Sequence, residues 1–532
     1  KAGLELLTKN RKLDQVHKTA RGVIVNAAGT SAVRSMAVAG TAAGSVAVSI
    51  SASVPVITTN TQSIIGAHAL INKIAGSAGA TQSVAVAAAS DIYTLGFSGA
   101  VAIGGSVGGG AGVNVAIVDQ TTIAKAGGGM SGIGAGQSNI VAMDDVLVSA
   151  KSTEDFAIWA IAGAGGGVAA LAGSGSALDM TSVTTAELGG FVVAQGNVDV
   201  VADDQTRTAL MAGSVAIGGT AGVGAAVGVI LLDKTVTASI ASYADVSAYG
   251  RNGTRNVHTG SLNVPTGSRF DTQVAASGVN VEANSTQAAL TLVVSGAGGL
   301  YAGIAGVLAL DLMDVTTTAF VGSYARVNEN NATGSSSQDV AITARDSTVT
   351  DVAAGAISGG LVGLSGAVDV GIFKATTSAY VEDGASVTAK RDVHVNGLSN
   401  KAGTSLVASG SGGVFALAAG IAIYSYGDGV GVNSDANTEL SESSDGVADI
   451  DGINSDAQDQ VNNSQVDDLL KSSDDARITK ISSDAQAKRG GINVAGAASS
   501  LSVPGGTSAI IGNTVITAGR NVGVTSSDAL DV

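Results

Sequence analysis

The chain has 532 residues, 75 of them Gly, with 45% hydrophobic, 3% aromatic and 13% charged residues and a formal net charge of −16. Disorder is excluded, because an unfolded chain is polar and highly charged rather than rich in Ala, Val, Ile and Leu. Only 3 Pro and no Gly period of three exclude collagen, the acidic balance argues against a nucleic-acid partner, and the absence of Cys removes disulfides and thiol chemistry.

Residues 1–22 open the chain. Leu6, Leu13, Val16 and Ala20 align along one side of Leu4–Ala20, among four Lys or Arg. This spacing predicts a short N-terminal helix or joining segment, with a sheet starting at Arg21-Gly22-Val23.

Residues 23–432 carry a repeat. A polar residue followed by Val-x-Val or Val-x-Ile occurs at Ser83-Val84, Asp145-Val146, Asn197-Val198, Asp339-Val340, Asp392-Val393 and Asn521-Val522, with Gly278-Val279 as a variant. The valines lie 52 to 62 residues apart, with two longer gaps of 81 and 129. That period marks a repeat architecture. A Thr-rich step keeps the same beat, as in Asp314-Val315-Thr316-Thr317-Thr318-Ala319 and Lys374-Ala375-Thr376-Thr377-Ser378-Ala379. Thr arrays can order water on a flat sheet, but at one run per repeat they read as too sparse for a lattice. The Gly-rich segment before each Thr run alternates large and small residues: Val215, Ile217, Val223 and Val227 against Ala216, Gly218, Gly224 and Ala226. Period two puts the large residues on one strand face. The small face lets another backbone, sheet or protomer come close.

These signals predict an all-β fold: a repetitive, parallel-β-helix-like β-solenoid, with a short N-terminal helix and an acidic, partly helical insert. With coils of about 20 to 30 residues, each repeat would hold two or three coils, giving a rod of about 85 to 130 Å at about 4.8 Å per coil. Residues 288–315 are apolar enough to suggest a membrane helix, but they alternate with period two, so no transmembrane span is expected. Residues 433–490 form the acidic insert, with 13 Asp or Glu against 5 Lys or Arg, read as a projecting arm. Residues 491–532 hold the final repeat.

Few residues suggest chemistry. His17, His68, His258 and His394 are too scattered for a metal site, and no nucleophile motif or phosphate loop is present. No catalytic or cofactor-binding residue is assigned. Gly427-Asp428-Gly429 and Asp449-x-Asp451-Gly452-x-Asn454-x-Asp456 loosely echo calcium loops, without the closing Glu of an EF-hand. Asp428, Asp449, Asp451 and Asp456 are thus the calcium candidates, with a solvated acidic loop as the preferred reading.

The entry Thr19-Ala20-Arg21-Gly22-Val23-Ile24-Val25, the Gly/Ala/Val blocks, the Thr-Thr-x-Ala-Tyr/Phe-Val step and the Asp-Val-x-Val close resemble the leukotoxin-like branch of filamentous-haemagglutinin-type exported bacterial adhesins. The resemblance implies export to the bacterial surface or medium, a β-solenoid, and attachment or cytotoxicity. The expectation is a non-enzymatic structural or adhesive rod, fibre or layer. Its expected partners are further copies of itself, joined by open strand edges and by side-to-side packing of the Gly/Ala/Ser faces, and a host-surface or matrix ligand. The alternatives are a pore-forming or cytotoxic exoprotein and, less favoured, a carbohydrate-active β-helix enzyme, which would need acidic and basic residues gathered in a groove.

Overall fold

The computed structural model describes residues 21–72, 78–128, 138–258, 273–330, 332–426, 492–502 and 506–531. They form 26 strands and, among the described residues, no helix. The expected N-terminal helix falls on residues 1–20, and the acidic insert on 427–491; both lie outside the described residues. The sheet begins at Gly22.

The strands form three sheets, each with a parallel path. The first long sheet stacks Gly22–Ala43, Ser83–Gly104, Val146–Gly166, Val198–Gly218, Gln273–Gly298, Gln338–Gly359, Asp392–Gly412 and Asn521–Asp531. The second long sheet includes Val46–Ser53, Val107–Ala126, Ala169–Leu188, Ala221–Ile240, Ala302–Val321, Val362–Val381 and Phe415–Tyr426. The third is made of short strands such as Asn139–Ala142, Phe191–Ala194 and Asp245–Ala248. The chain visits the three in rotation, and each pass, or winding, pairs with the next residue for residue. Val146 pairs with Val198, Val198 with Val279, and Val340 with Val393.

One repeat is therefore one winding. The expected coil of 20 to 30 residues is too short, because each long strand alone takes about 20 residues. Eight strands of the first sheet span seven steps, about 34 Å along the stacking direction, while one long strand runs about 70 Å. Over the described residues the molecule is a slab, broader than it is tall. The apolar stretch 288–315 is split between Gln273–Gly298 and Ala302–Val321, joined by a bend at Gly299-Leu300-Tyr301. No helix among the described residues is long and apolar enough to cross a membrane.

The Val-x-Val motif builds the three-sheet end. Val84 and Val86 share one buried cluster with Ala124 and Ala126 of the second sheet and Ile140 and Ala142 of the third, all fully buried. Farther along, the two long sheets face one another across Phe156, Ile158, Leu178, Met180 and Leu210. At the bends they come so close that only small residues fit. A Cβ on Gly110 would lie 2.3 Å from the carbonyl oxygen of Gly163, and one on Gly218 would lie 1.9 Å from that of Ala221.

The alternation is thus turned inside out near the bends. Ala102, Ala116, Ala216 and Ala226 are buried between the sheets, while Val101, Ile103, Val215 and Ile217 point to solvent. The small face does permit close approach, but its partner is the opposite sheet of the same chain. This overturns side-to-side packing of copies through Gly/Ala/Ser faces: those faces are internal.

Candidate functional site

At four of the Val-x-Val motifs the opening polar residue, Asp145, Asn197, Asp339 or Asp392, is a rung between windings. Asp145 Oδ1 accepts a hydrogen bond from the Asn197 N–H at 2.7 Å, and Asn197 Oδ1 accepts one from the Gly278 N–H at 2.7 Å. Asp339 and Asp392 serve Asp392 and Asn521 in the same way, at 3.0 and 3.1 Å. A carboxylate or amide at this corner satisfies a backbone donor that would otherwise be left at the strand entry. Arginine reinforces two rungs: Arg391 Nε lies 2.7 Å from Asp339 Oδ1, and Arg520 Nε lies 2.9 Å from Asp392 Oδ1. The hydrogen bonds from Arg520 hold the Asp392 carboxyl below its usual range.

At one stretch of this corner the charges line a cleft of about 750 Å³, bordered by Arg21, Asp144, Asp145, Asp199, Arg255 and Glu282. Arg255 arrives on a short strand, Arg255–His258, that pairs antiparallel with Gln273–Gly298. Its Nη2 lies 2.6 Å from Asp145 Oδ2 and its Nε 2.5 Å from Asp199 Oδ2. Burial pushes the Asp199 carboxyl up to about 6, although Arg255 pulls it down. His258 Nε2 lies 3.5 Å from Glu282 Oε1. The sequence reading missed this cluster, because Asp145 and Arg255 are 110 residues apart. Only the two-residue offset of Asp199 from Asn197 hinted that its side chain leaves the core. The cleft gathers acidic and basic groups, but Arg255 is already bound to two carboxylates, so its built-in role is to clamp three windings together.

A second charged group lies inside the slab. Lys234 Nζ sits 2.7 Å from Asp204 Oδ1, with both side chains fully buried. The ammonium also donates to Thr206 Oγ1 at 3.1 Å and to the carbonyl oxygens of Asp204 and Thr286. Ser182 and Thr184 donate to Asp204 Oδ2, each at 2.8 Å, and Thr206 donates to Glu154 Oε2 at 2.8 Å. Burial, with the charge of Asp204 beside it, raises the Glu154 carboxyl well above its usual range. The cluster is sealed from solvent and staples the two long sheets in one register.

On the outside of the second long sheet the Thr runs fall into columns. Thr235, Thr316 and Thr376 are direct neighbours on successive windings, as are Thr237, Thr318 and Ser378. The reading of these runs as too sparse fails with the coil length it assumed, since neighbours stand about 4.8 Å apart.

Asp428, Asp449, Asp451 and Asp456 lie outside the described residues. Among the described residues no group of three or more His, Asp or Glu is placed to hold a metal ion. No family model matches the chain. Neither a curated protein nor a solved structure matches it.

Proposed function

We propose that this chain is a non-enzymatic structural and adhesive repeat protein, folded as a β-solenoid and displayed at the bacterial cell surface or outside the cell. The observation that carries this reading is the residue-for-residue stacking of windings, which share the Val-x-Val core and, at four corners, a side-chain rung to the next winding. Such stacking extends by adding windings without redesigning the core, as quasi-one-dimensional repeat proteins do. The resemblance to filamentous-haemagglutinin-type adhesins points the same way. Self-assembly by end stacking is part of this reading, since windings that pair residue for residue within the chain present a pattern that windings of another copy can match. Negative-stain electron microscopy across protein and salt concentration tests the reading: elongated particles or end-to-end polymers are expected, and compact monomers under all conditions would contradict assembly.

A membrane-active exoprotein is the second reading, favoured by exposed Val, Ile and Leu near the bends. Dye release from lipid vesicles separates the two.

A further inference from the structure

The first long sheet exposes a chequerboard. Counting windings by the strands of this sheet, one outward row presents Val38, Gly99, Ile161, Gly213, Val294 and Gly355 on windings one to six. The next row toward the bends presents Gly40, Val101, Gly163, Val215, Gly296 and Ile357. Large and absent side chains thus alternate both along each strand and from winding to winding. The six large residues are 44 to 72% exposed. A row of knobs and holes that alternates in both directions complements a copy of itself shifted by one step.

We propose that this face pairs with the same face of a second copy about a two-fold axis parallel to the strands, between windings three and four. Such an axis keeps each row and reverses the order of windings. Winding three then faces four of the second copy, two faces five, and one faces six. Every knob meets a hole: Ile161 meets Gly213, Val101 meets Gly296, and Val38 meets Gly355. The row on the other side of the chequerboard from the bends, beyond Trp159 and Met211, is Arg34, Leu95, Ala157, Ala209, Leu290 and Asp351. The same axis sets the exposed Arg34 against the exposed Asp351, while Leu95 and Ala157 of that row are buried within the monomer and make no part of the contact. The two chequerboard rows and the Arg34–Asp351 pair therefore select one alignment. The contact is isologous and closes on itself.

Six residues along each strand, from the Met36 row to the bends, and six windings cover about 20 by 29 Å, about 570 Å² per copy, the size of a weak, concentration-dependent dimer. This inference rests on the structural reading above and names one contact within it. It differs from end stacking, which uses backbone edges rather than a sheet face.

The test is sedimentation equilibrium of the full chain, with emission of the sole tryptophan as a second readout. Trp159 lies in the row beside the chequerboard and would face Met211 of the second copy. The wild type is expected to dimerise, with Trp159 emission shifting blue as the dimer forms. G213V/G296V fills two holes. A Cβ there makes only ordinary contacts within the monomer, 3.7 Å from Val294 and 3.9 Å from Val215, so the circular dichroism spectrum should be retained. The dimer should weaken at least tenfold, although the face has become more apolar. D351R, which sets Arg against Arg34, should weaken it as well, and R34D/D351R should restore it. A wild type that stays monomeric, a dimer indifferent to G213V/G296V, or a charge swap that fails to restore would overturn the proposal. So would binding to phosphatidylcholine vesicles with no dimer. End-to-end polymers without a face-paired dimer would sink this contact and leave the structural reading standing; a discrete dimer that never polymerises would do the reverse.

Discussion

Asp339 Oδ1 accepts a 3.0 Å hydrogen bond from the backbone N–H of Asp392, its counterpart one winding later. The same oxygen takes Arg391 Nε at 2.7 Å. Asp339→Ala removes the acceptor and leaves a donor unpaired at a buried corner, which should cost about 1 to 3 kcal/mol. Asp339→Asn keeps the backbone rung, as Asn197 does naturally, and should cost less than half as much. Urea unfolding of the two variants checks this; equal losses would remove the rung from the account.

Lys234 is the internal staple. Lys234→Met leaves Asp204 uncompensated between the sheets, so a loss of about 3 to 5 kcal/mol is expected. Replacement of Asp204 by Asn in the same chain should recover part of that loss, since the unpaired charge is then gone. Thermal unfolding of the single and double variants measures it, and a harmless Lys234→Met would contradict the sealed ion pair.

Stability should fall as pH rises from about 4 to 7. Burial raises the Asp311 carboxyl to about 7 and the Asp346 carboxyl to about 6. Between the unfolded value near 4 and these folded values, the folded chain holds protons that the unfolded chain has released, so stability decreases with pH across that window. Asp311→Asn, which preserves an acceptor for Thr291, should raise the urea midpoint at pH 7.5 and flatten the dependence. A midpoint that climbs steadily from pH 4.5 to 7.5 in the wild type would refute these assignments.

Gly224→Leu should be among the harsher substitutions in the repeats. Its Cβ would meet the Gly296 carbonyl oxygen at 2.7 Å and Ser295 Oγ at 2.8 Å, between sheets that cannot separate locally. Overpacking of this kind costs about 1 to 3 kcal/mol. Val223→Leu, on the solvent side of the same strand, should stay within about 0.5 kcal/mol. Equal shifts in melting temperature would mean that the face assignment is wrong.

The β content and the repeat were legible because alternation and period are local properties of the chain. Alternation shows that Val215 and Ala216 occupy opposite faces, but not which one is inside. The usual rule, large apolar residues inward, failed because two flat sheets pressed together at the bends leave room for Ala and Gly alone. The coil length was not legible because a recurring Val-x-Val gives the distance between equivalents, not the number of strands crossed on the way. The Arg255 clamp was hidden for a similar reason. Its partners Asp145 and Asp199 lie 110 and 56 residues before it in the chain and meet it only once the windings are in register.

If one repeat makes one winding, equivalent residues in successive repeats stand one strand spacing apart along the stack. Thr121 and Thr376 occupy the same outward column, four windings apart. The chain has no Cys, so Thr121→Cys and Thr376→Cys can carry spin labels without background. Double electron–electron resonance should give a distance centred at about 19 Å, four steps of ~4.8 Å. A distance of about 38 Å or more, as two or three coils per repeat require, would rule out one winding per repeat.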